Sequence, residues 1–258
     1  MSTFVLIHGA WHGGWCWGKV EPLLRQSGAR VYAPSLSGMG ERSHLTRYIH
    51  PAAINLDLHI EDVVKLLESE GLDDAILVGH AYAGMVITGV AEVCPQRVAH
   101  LVYVNGVVPG DGQAMVDQLD AVRGPEFTAR IRGAIERGEE FLPPPTTAEE
   151  IQQRWAISDP EDQYWMLPRL SPQSTASFSQ PLSVGNSQSQ EISRTFILSS
   201  ESGFDLVAER ARQSGWGLFQ LDTGHDPMIT KPKEVADILL KTAGFAELSK
   251  SSTLASDA

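Results

Sequence analysis

The segment Val78-Gly79-His80-Ala81-Tyr82-Ala83-Gly84 has the residue types of a turn that exposes a catalytic nucleophile. It follows a short apolar run and precedes a longer apolar stretch, which is the context in which a nucleophile elbow joins a strand to a helix. The sharp bend needs small neighbours, and Gly79, Ala83 and Gly84 provide them. The usual pattern is G-x-S-x-G, but Ala81 has no nucleophilic atom, and Ala83 replaces the second glycine. The segment therefore predicts the turn of a nucleophile site without the nucleophile.

Two other segments carry groups suited to carbonyl chemistry. The stretch His8-Gly9-Ala10-Trp11-His12-Gly13-Gly14-Trp15-Cys16-Trp17 follows the first apolar run, where its backbone N–H groups can bind a negatively charged oxygen. Near the C-terminus, Thr223-Gly224-His225-Asp226-Pro227-Met228 places a histidine between the last predicted strand and the last predicted helix. An imidazole there can act as a general base. Asp226 adjoins His225, but we expect its side chain to point elsewhere.

The elements that must position these residues alternate between strands and helices. Short apolar runs and helical periodicity predict strands at 4–7, 30–33, 75–78 and 98–104 and helices at 54–70 and 85–93. The alternation stops between about 108 and 192. It resumes with strands at 195–198 and 216–221 and helices at 206–213 and 234–242. Such alternation favours βαβ units in a parallel sheet, interrupted by an inserted lobe.

Composition excludes several classes of protein. The 258 residues carry a net charge of −12, which disfavours nucleic acid because phosphates bind Lys and Arg. No apolar run reaches the roughly 18 residues that span a bilayer, so we expect no membrane partner and a cytoplasmic location. The spacing of Cys16 and Cys94 suits neither a disulfide framework nor a zinc site, and Gly38-x-Gly40 lacks the rest of a phosphate-binding loop. We therefore expect no metal and no cofactor.

These segments, together with Gly38-Met39-Gly40-Glu41-Arg42-Ser43-His44-Leu45, resemble the α/β-hydrolase superfamily. More narrowly, they resemble its branch of small bacterial esterases and carbamate hydrolases, which is similar to plant methylesterases and hydroxynitrile lyases. The resemblance implies an α/β-hydrolase fold, with a mostly parallel sheet, helices on both faces and an inserted helical cap. It predicts a core of residues 1–107 and 193–247, a cap lobe of 108–192 and a flexible tail of 248–258.

The resemblance also implies roles for individual residues. His225 falls on the general base of the family, and the N–H groups of Ala10 and Tyr82 fall on its oxyanion donors. These donors are backbone groups, so they survive the alanine at position 81, which is the nucleophile position. Aromatic side chains are expected to line a site for a small aromatic or polyketide-like substrate. They are Trp11, Trp155 and Trp165.

The acid partner of His225 stays open between two positions. Glu201, followed by Asp205, comes after the strand at 195–198, whereas Asn105 comes after the preceding strand. An asparagine can orient an imidazole, but it does not stabilise an imidazolium ion as a carboxylate does. The sequence also leaves open whether the protein is a monomer or a homodimer.

Three functions are compatible with Ala81. The first is a serine hydrolase whose nucleophile has been replaced by alanine. The second is a natural enzyme without hydrolytic activity, such as a lyase, cyclase or cofactor-free oxygenase, in which His225 and the oxyanion donors polarise a carbonyl group and move protons. Ala83 and Asn105 favour this second function. The third is a protein that binds a small carbonyl compound without turnover.

Overall fold

A computed structural model describes the backbone of residues 1–256 and the side chains of residues 1–244. Its central sheet contains six parallel strands in the order β10-β9-β4-β3-β1-β2. These strands are β1 (Thr3–Ile7), β2 (Arg30–Tyr32), β3 (Ala75–His80), β4 (Val98–Val104), β9 (Arg194–Ser199) and β10 (Gly217–Leu221). The predicted α/β-hydrolase fold is confirmed.

The middle of the sheet is buried on both faces. Every residue of β1 and β3 is buried, and β4 has one half-buried residue, Ala99. A continuous apolar run is the pattern of a parallel strand that is covered by helices on both sides. The edge strand β10 is instead exposed or half-buried along its whole length. The strands β1, β3 and β4, whose carboxyl ends carry part of the candidate site, therefore belong to the buried centre of the sheet.

Helices cover the sheet outside the inserted segment. They are α1 (Glu21–Gln26), α2 (Leu56–Ser69), α3 (Ala83–Val93), α10 (Asp205–Gln213), α11 (Pro227–Thr230) and α12 (Pro232–Ser256). Helix α2 shows why these segments are helical: Asn55 caps it by accepting the Leu58 N–H at 3.0 Å. Its buried residues recur every three or four positions and face the core, where α2 packs against α3.

The chain between β4 and β9, residues 105–193, forms the inserted segment. Its helices are α4 (Met115–Arg123), α5 (Pro125–Glu136), α6 (Ala148–Trp155), α7 (Pro160–Met166), α8 (Thr175–Ser179) and α9 (Ser187–Glu191). Two antiparallel pairs of short strands join parts of this segment: β5 (Gln113–Ala114) with β8 (Pro181–Leu182), and β6 (Phe141–Leu142) with β7 (Gln173–Ser174). That the segment acts as a cap stays a prediction.

Two observations concern the ends and surfaces of the chain. In the part that the structure describes, no helix is long and apolar enough to cross a membrane. The predicted flexible tail, residues 248–258, lies outside the residues whose side chains are described, so its flexibility stays a prediction.

Candidate active site

The candidate site lies at the carboxyl ends of neighbouring strands, where parallel α/β sheets bind their ligands. The glycine-rich stretch follows β1, the elbow follows β3, and Asn105 follows β4. Glu201 lies in the loop after β9, and His225 lies in the loop after β10. Because these strands are adjacent in the sheet, segments that are far apart in the chain meet at one edge.

Ala81 occupies the sharp turn predicted for position 81. Its φ is +49°, in the left-handed region of backbone conformation that residues other than glycine rarely adopt. The turn is held from β4, because the Ala81 N–H donates to the Val104 carbonyl at 3.2 Å and the Val107 N–H donates to the Ala81 carbonyl at 3.1 Å. A Cβ at Gly84 would lie only 2.0 Å from the Val107 oxygen, so glycine is required there. The elbow therefore forms without a serine.

Ala10 and Tyr82, the candidate oxyanion donors, line the same cavity as Ala81 and His225. Among the hydrogen bonds of the described residues, none uses the N–H of Ala10 or Tyr82. The loop that carries Ala10 is fixed by the next residue, Trp11, whose φ is +66° and whose indole Nε1–H donates to the Leu142 carbonyl at 3.1 Å. Both amides are thus available to an oxygen atom in the cavity.

His225 is buried, and its backbone is held on both sides. Its N–H donates to the Trp155 carbonyl at 2.8 Å, and its carbonyl accepts from Asn105 Nδ2 at 2.8 Å. Its imidazole stacks on the Phe204 ring, with 5.4 Å between centroids, and lies 4.7 Å from the His80 ring. Burial is the main cause that lowers the pKa of His225 well below 6.5, followed by the charge of Arg123. The imidazole is therefore neutral at pH 7.

No carboxylate of the described residues hydrogen-bonds to the His225 imidazole. His225 Nδ1 is buried, and no described residue hydrogen-bonds to it. Glu201 is exposed, and no hydrogen bond or ion pair joins its side chain to His225 in residues 1–244. Asn105 does contact His225, but its amide binds the backbone carbonyl and not the imidazole. The expectation that Asn105 orients the ring is wrong, because Asn105 fixes the loop that carries the ring.

Asp226 is fully buried. As expected from the sequence, its carboxylate faces residues other than the adjacent His225, and these are two other histidines. Asp226 Oδ1 lies 3.1 Å from His80 Nε2, and Asp226 Oδ2 lies 3.3 Å from His12 Nε2. Burial alone would raise the pKa of Asp226, but His12 and His80 outweigh it and hold the pKa well below 3.8. The only carboxylate at the centre of the described site is therefore charged at pH 7 and already engaged.

The same residues include a group with metal-ligand chemistry. Ligand atoms of His80, His225 and Asp226 lie within 4.8 Å of one another. Imidazole nitrogens and a carboxylate are ligands that zinc accepts. The pairing of Asp226 with His12 and His80 explains the cluster without an ion. The expectation of no metal stays a prediction.

The cavity is small and mostly aromatic. Its volume is about 30 Å³, well below the roughly 300 Å³ at which ligand pockets begin, so its lining must move before a substrate enters. Trp11 and Trp155 line it as predicted from the sequence, together with Phe127, Phe178 and Phe204. Trp165 does not line it. That side chain packs against Trp15, with 5.2 Å between ring centroids, and faces a separate surface pocket.

One polar residue of the cavity was missed in the sequence. Arg123, at the end of α4, lines the cavity opposite the strand ends. Nothing in the local sequence distinguishes it from the other arginines of the inserted segment, because its position depends on how α4 packs over the sheet. Arg123 contributes to the low pKa of His225 and is the cationic side chain of the site.

Comparison with known proteins agrees with this architecture. The sequence model of the alpha/beta hydrolase family matches residues 4–238. The chain therefore belongs to the α/β-hydrolase family. Its esterase branch is also supported: a carbendazim hydrolyzing esterase of Nocardioides sp. (strain SG-4G) is 36% identical over 247 residues, which cover 93% of this chain and 98% of the relative. Methylesterase 9 of Arabidopsis thaliana is 28% identical over 261 residues, covering 94% of this chain and 98% of the relative.

Solved structures of α/β-hydrolases have the same fold. An extracellular α/β-hydrolase from a Paenibacillus species superposes with a TM-score of 0.76 at 20% identity, covering 93% of this chain and 98% of the other. A variant of tomato methylketone synthase I complexed with beta-ketoheptanoate gives a TM-score of 0.74 at 22% identity, covering 95% and 98%. At these identities, the likeness concerns the fold alone.

Proposed function

We propose that this member of the α/β-hydrolase family acts on the carbonyl group of a small aromatic or polyketide-like molecule without forming an acyl-enzyme. The observation that carries the proposal is the loss of two partners of the catalytic histidine. Position 81 has no hydroxyl, and His225 Nδ1 has no carboxylate partner among the described residues. A serine mechanism needs both the nucleophile and support for the imidazolium ion.

An enzyme that only transfers protons to and from carbon does not need the nucleophile that a serine mechanism requires. The neutral His225 imidazole takes a proton from the carbon next to the carbonyl group; the electron pair of that C–H bond forms a C=C bond to the carbonyl carbon, and the π pair of the carbonyl group moves onto its oxygen. The resulting enolate oxygen is bound by the N–H groups of Ala10 and Tyr82. Return of the proton, or loss of a leaving group from the neighbouring carbon, completes an isomerase or lyase reaction. The aromatic lining, with Trp155 beside His225, suits a flat substrate.

Deuterium exchange tests this proposal directly. Phenylacetone has a carbonyl group and acidic C–H bonds but no leaving group, so NMR in D₂O reports proton removal alone. We expect the wild type to exchange its benzylic protons at least about 10²-fold faster than His225→Gln, which is the range of general acid–base catalysis. His44→Gln, which alters an exposed histidine, should match the wild type. Equal rates in wild type and His225→Gln would reject the proposal.

A second candidate function is hydrolysis by direct attack of water. The 36% identity to a carbendazim hydrolyzing esterase favours it. Here His225 takes a proton from water as the water oxygen bonds to the carbonyl carbon, and the N–H groups of Ala10 and Tyr82 bind the negatively charged oxygen that forms from the carbonyl. The carbonyl then reforms, the bond to the leaving group breaks, and the leaving group takes the proton from His225. Incubation with carbendazim, followed by chromatography of the released amine, tests it. Release that disappears in His225→Gln, without a burst in the wild type, would favour this candidate over enolate chemistry.

A further inference from the structure

Arg123 places a positive charge in the candidate active site with no negative partner on the chain. It lines the same cavity as Ala81 and His225. Its Nη1 donates to the Arg154 carbonyl at 2.9 Å, which fixes the direction of the guanidinium group. Among the described residues, no Asp or Glu forms an ion pair with Arg123.

The nearest source of negative charge does not satisfy this cation. Asp226 acts on Arg123 through space, but its two carboxylate oxygens face His12 and His80 at 3.3 and 3.1 Å. Burial lowers the pKa of Arg123 to about 10, so the group is still charged at pH 7. Arg123 is half-buried, so its guanidinium is partly removed from water without an anionic partner, and an anion supplied by a ligand would offset the lost hydration.

The surroundings of Arg123 strengthen the positive field. Arg154 lies over the Trp11 ring at 5.0 Å, and its Nη1 atom is buried without a hydrogen-bond partner. Arg130 lies over the Phe127 ring at 5.0 Å. Arg130 and Arg123 both act on the Arg154 guanidinium through space, so three cationic groups lie near one another at this part of the inserted segment.

The cavity therefore offers two places for negatively charged oxygen. Ala10 and Tyr82 belong to the loops after β1 and β3, and Arg123 ends α4; all three line the cavity. Phe127 and Trp155 line it as well. A guanidinium group binds a carboxylate through two parallel hydrogen bonds, which gives it specificity for that group over a neutral ester.

We propose that Arg123 forms a carboxylate subsite, so that the substrate is a small aromatic acid with a carbonyl group as well as a carboxylate. This inference rests on the proposed function, because it assigns the carbonyl group to the amides and the carboxylate to Arg123. The carboxylate subsite predicts that the substrates of this chain are anionic, in contrast to neutral esters and carbamates.

Equilibrium binding of a matched pair of probes tests the subsite. Benzoylformate carries a ring, a carbonyl group and a carboxylate, whereas methyl benzoylformate differs from it by loss of the charge. Binding is followed by tryptophan fluorescence, since Trp11 and Trp155 line the cavity. We expect the wild type to bind the acid at least about tenfold more tightly than the ester. Arg123→Gln should abolish that preference, and Arg123→Lys should restore part of it.

A second arginine serves as the control for net charge. Arg169 lies over the Trp165 ring at 5.1 Å, away from the cavity, and Arg169→Gln removes the same charge from the inserted segment. Its preference for the acid should equal that of the wild type. Absence of acid binding by the wild type, equal affinity for acid and ester, or an unchanged preference in folded Arg123→Gln would each overturn the subsite. None of these results would affect His225-dependent exchange into phenylacetone, so the two proposals fail separately.

Discussion

Asp226 follows His225 directly in the chain, yet its carboxylate faces His80, with 3.1 Å between Asp226 Oδ1 and His80 Nε2. His12 approaches the other oxygen at 3.3 Å. The carboxylate therefore contacts two histidines, one of the elbow and one of the glycine-rich stretch, and no hydrogen bond joins it to the His225 imidazole. This arrangement links the loop after β10 to the two loops that carry those histidines.

Removal of the Asp226 charge should destabilise the fold. Asp226→Asn retains the shape of the side chain but leaves His12 and His80 without their buried anion. We expect the free energy of unfolding to fall by about 2 kcal/mol, within the range for hydrogen bonds to a charged group. Urea denaturation measures it. In the control Asp222→Asn, at an exposed position, the change should stay below about 0.5 kcal/mol. Equal losses in both variants would contradict the role of Asp226.

Restoring the hydroxyl should give a slow esterase. In Ala81→Ser the neutral His225 can accept the serine proton, but no carboxylate stabilises the imidazolium ion that forms. We expect a burst of 4-nitrophenol from 4-nitrophenyl acetate, followed by turnover about 10⁴-fold slower than that of an enzyme with a complete triad. Ala81→Gly, which keeps the positive φ and adds no hydroxyl, should show no burst. Rapid turnover of Ala81→Ser would mean that a carboxylate reaches His225 Nδ1.

Titration of His225 should depend on Arg123. Burial and then the Arg123 charge lower its pKa well below 6.5, so the His225 ring should stay neutral in the folded protein as the pH falls through that value. Arg123→Gln removes the largest of the charge effects that lower the His225 pKa, and the pKa should rise. Two-dimensional NMR of labelled histidine rings follows this, with Arg169→Gln as the charge-matched control. A His225 pKa that is the same in wild type and Arg123→Gln would place the two side chains too far apart to interact.

Acid should destabilise the protein through its buried histidines. Burial lowers the pKa of His100 from 6.5 to about 4, so between these values the unfolded chain binds more protons than the folded one. The free energy of unfolding should therefore fall as the pH falls from 6.5 toward 4, by up to about 1.4 kcal/mol per pH unit for each such histidine. His100→Gln should reduce the slope, whereas His44→Gln, at an exposed position, should not. Unfolding curves at several pH values provide the test.

The central sheet could be predicted from the sequence because its information is local. The predicted strand at 98–104 coincides with β4. The predicted strand at 75–78 lies within β3, which is two residues longer at its carboxyl end. The helical periodicity at 54–70 gives α2, Leu56–Ser69. Buried parallel strands and amphipathic helices each carry their own pattern of apolar residues, so neither requires knowledge of the rest of the chain.

The details of the site depend on contacts between distant segments, which no local pattern contains. The elbow, the base and the candidate donors were predicted from motifs, and the structure brings them to one cavity. The exposure of Glu201, the contact of Asn105 with a backbone carbonyl and the displacement of Trp165 from the cavity follow from loop packing. Arg123 enters the site because α4 crosses it, 42 positions after Ala81 in the chain.

The left-handed backbone at Ala81 has a meaning of its own. A φ of +49° is unfavourable for alanine, and a chain free to relax would use glycine or a different turn. The bend persists although it presents only a methyl group, and the next residue, Tyr82, lines the cavity together with Ala10 and His225. The main chain at position 81 is thus already bent as a nucleophile elbow requires, so a change of one side chain there alters the chemistry on offer without asking the backbone to refold.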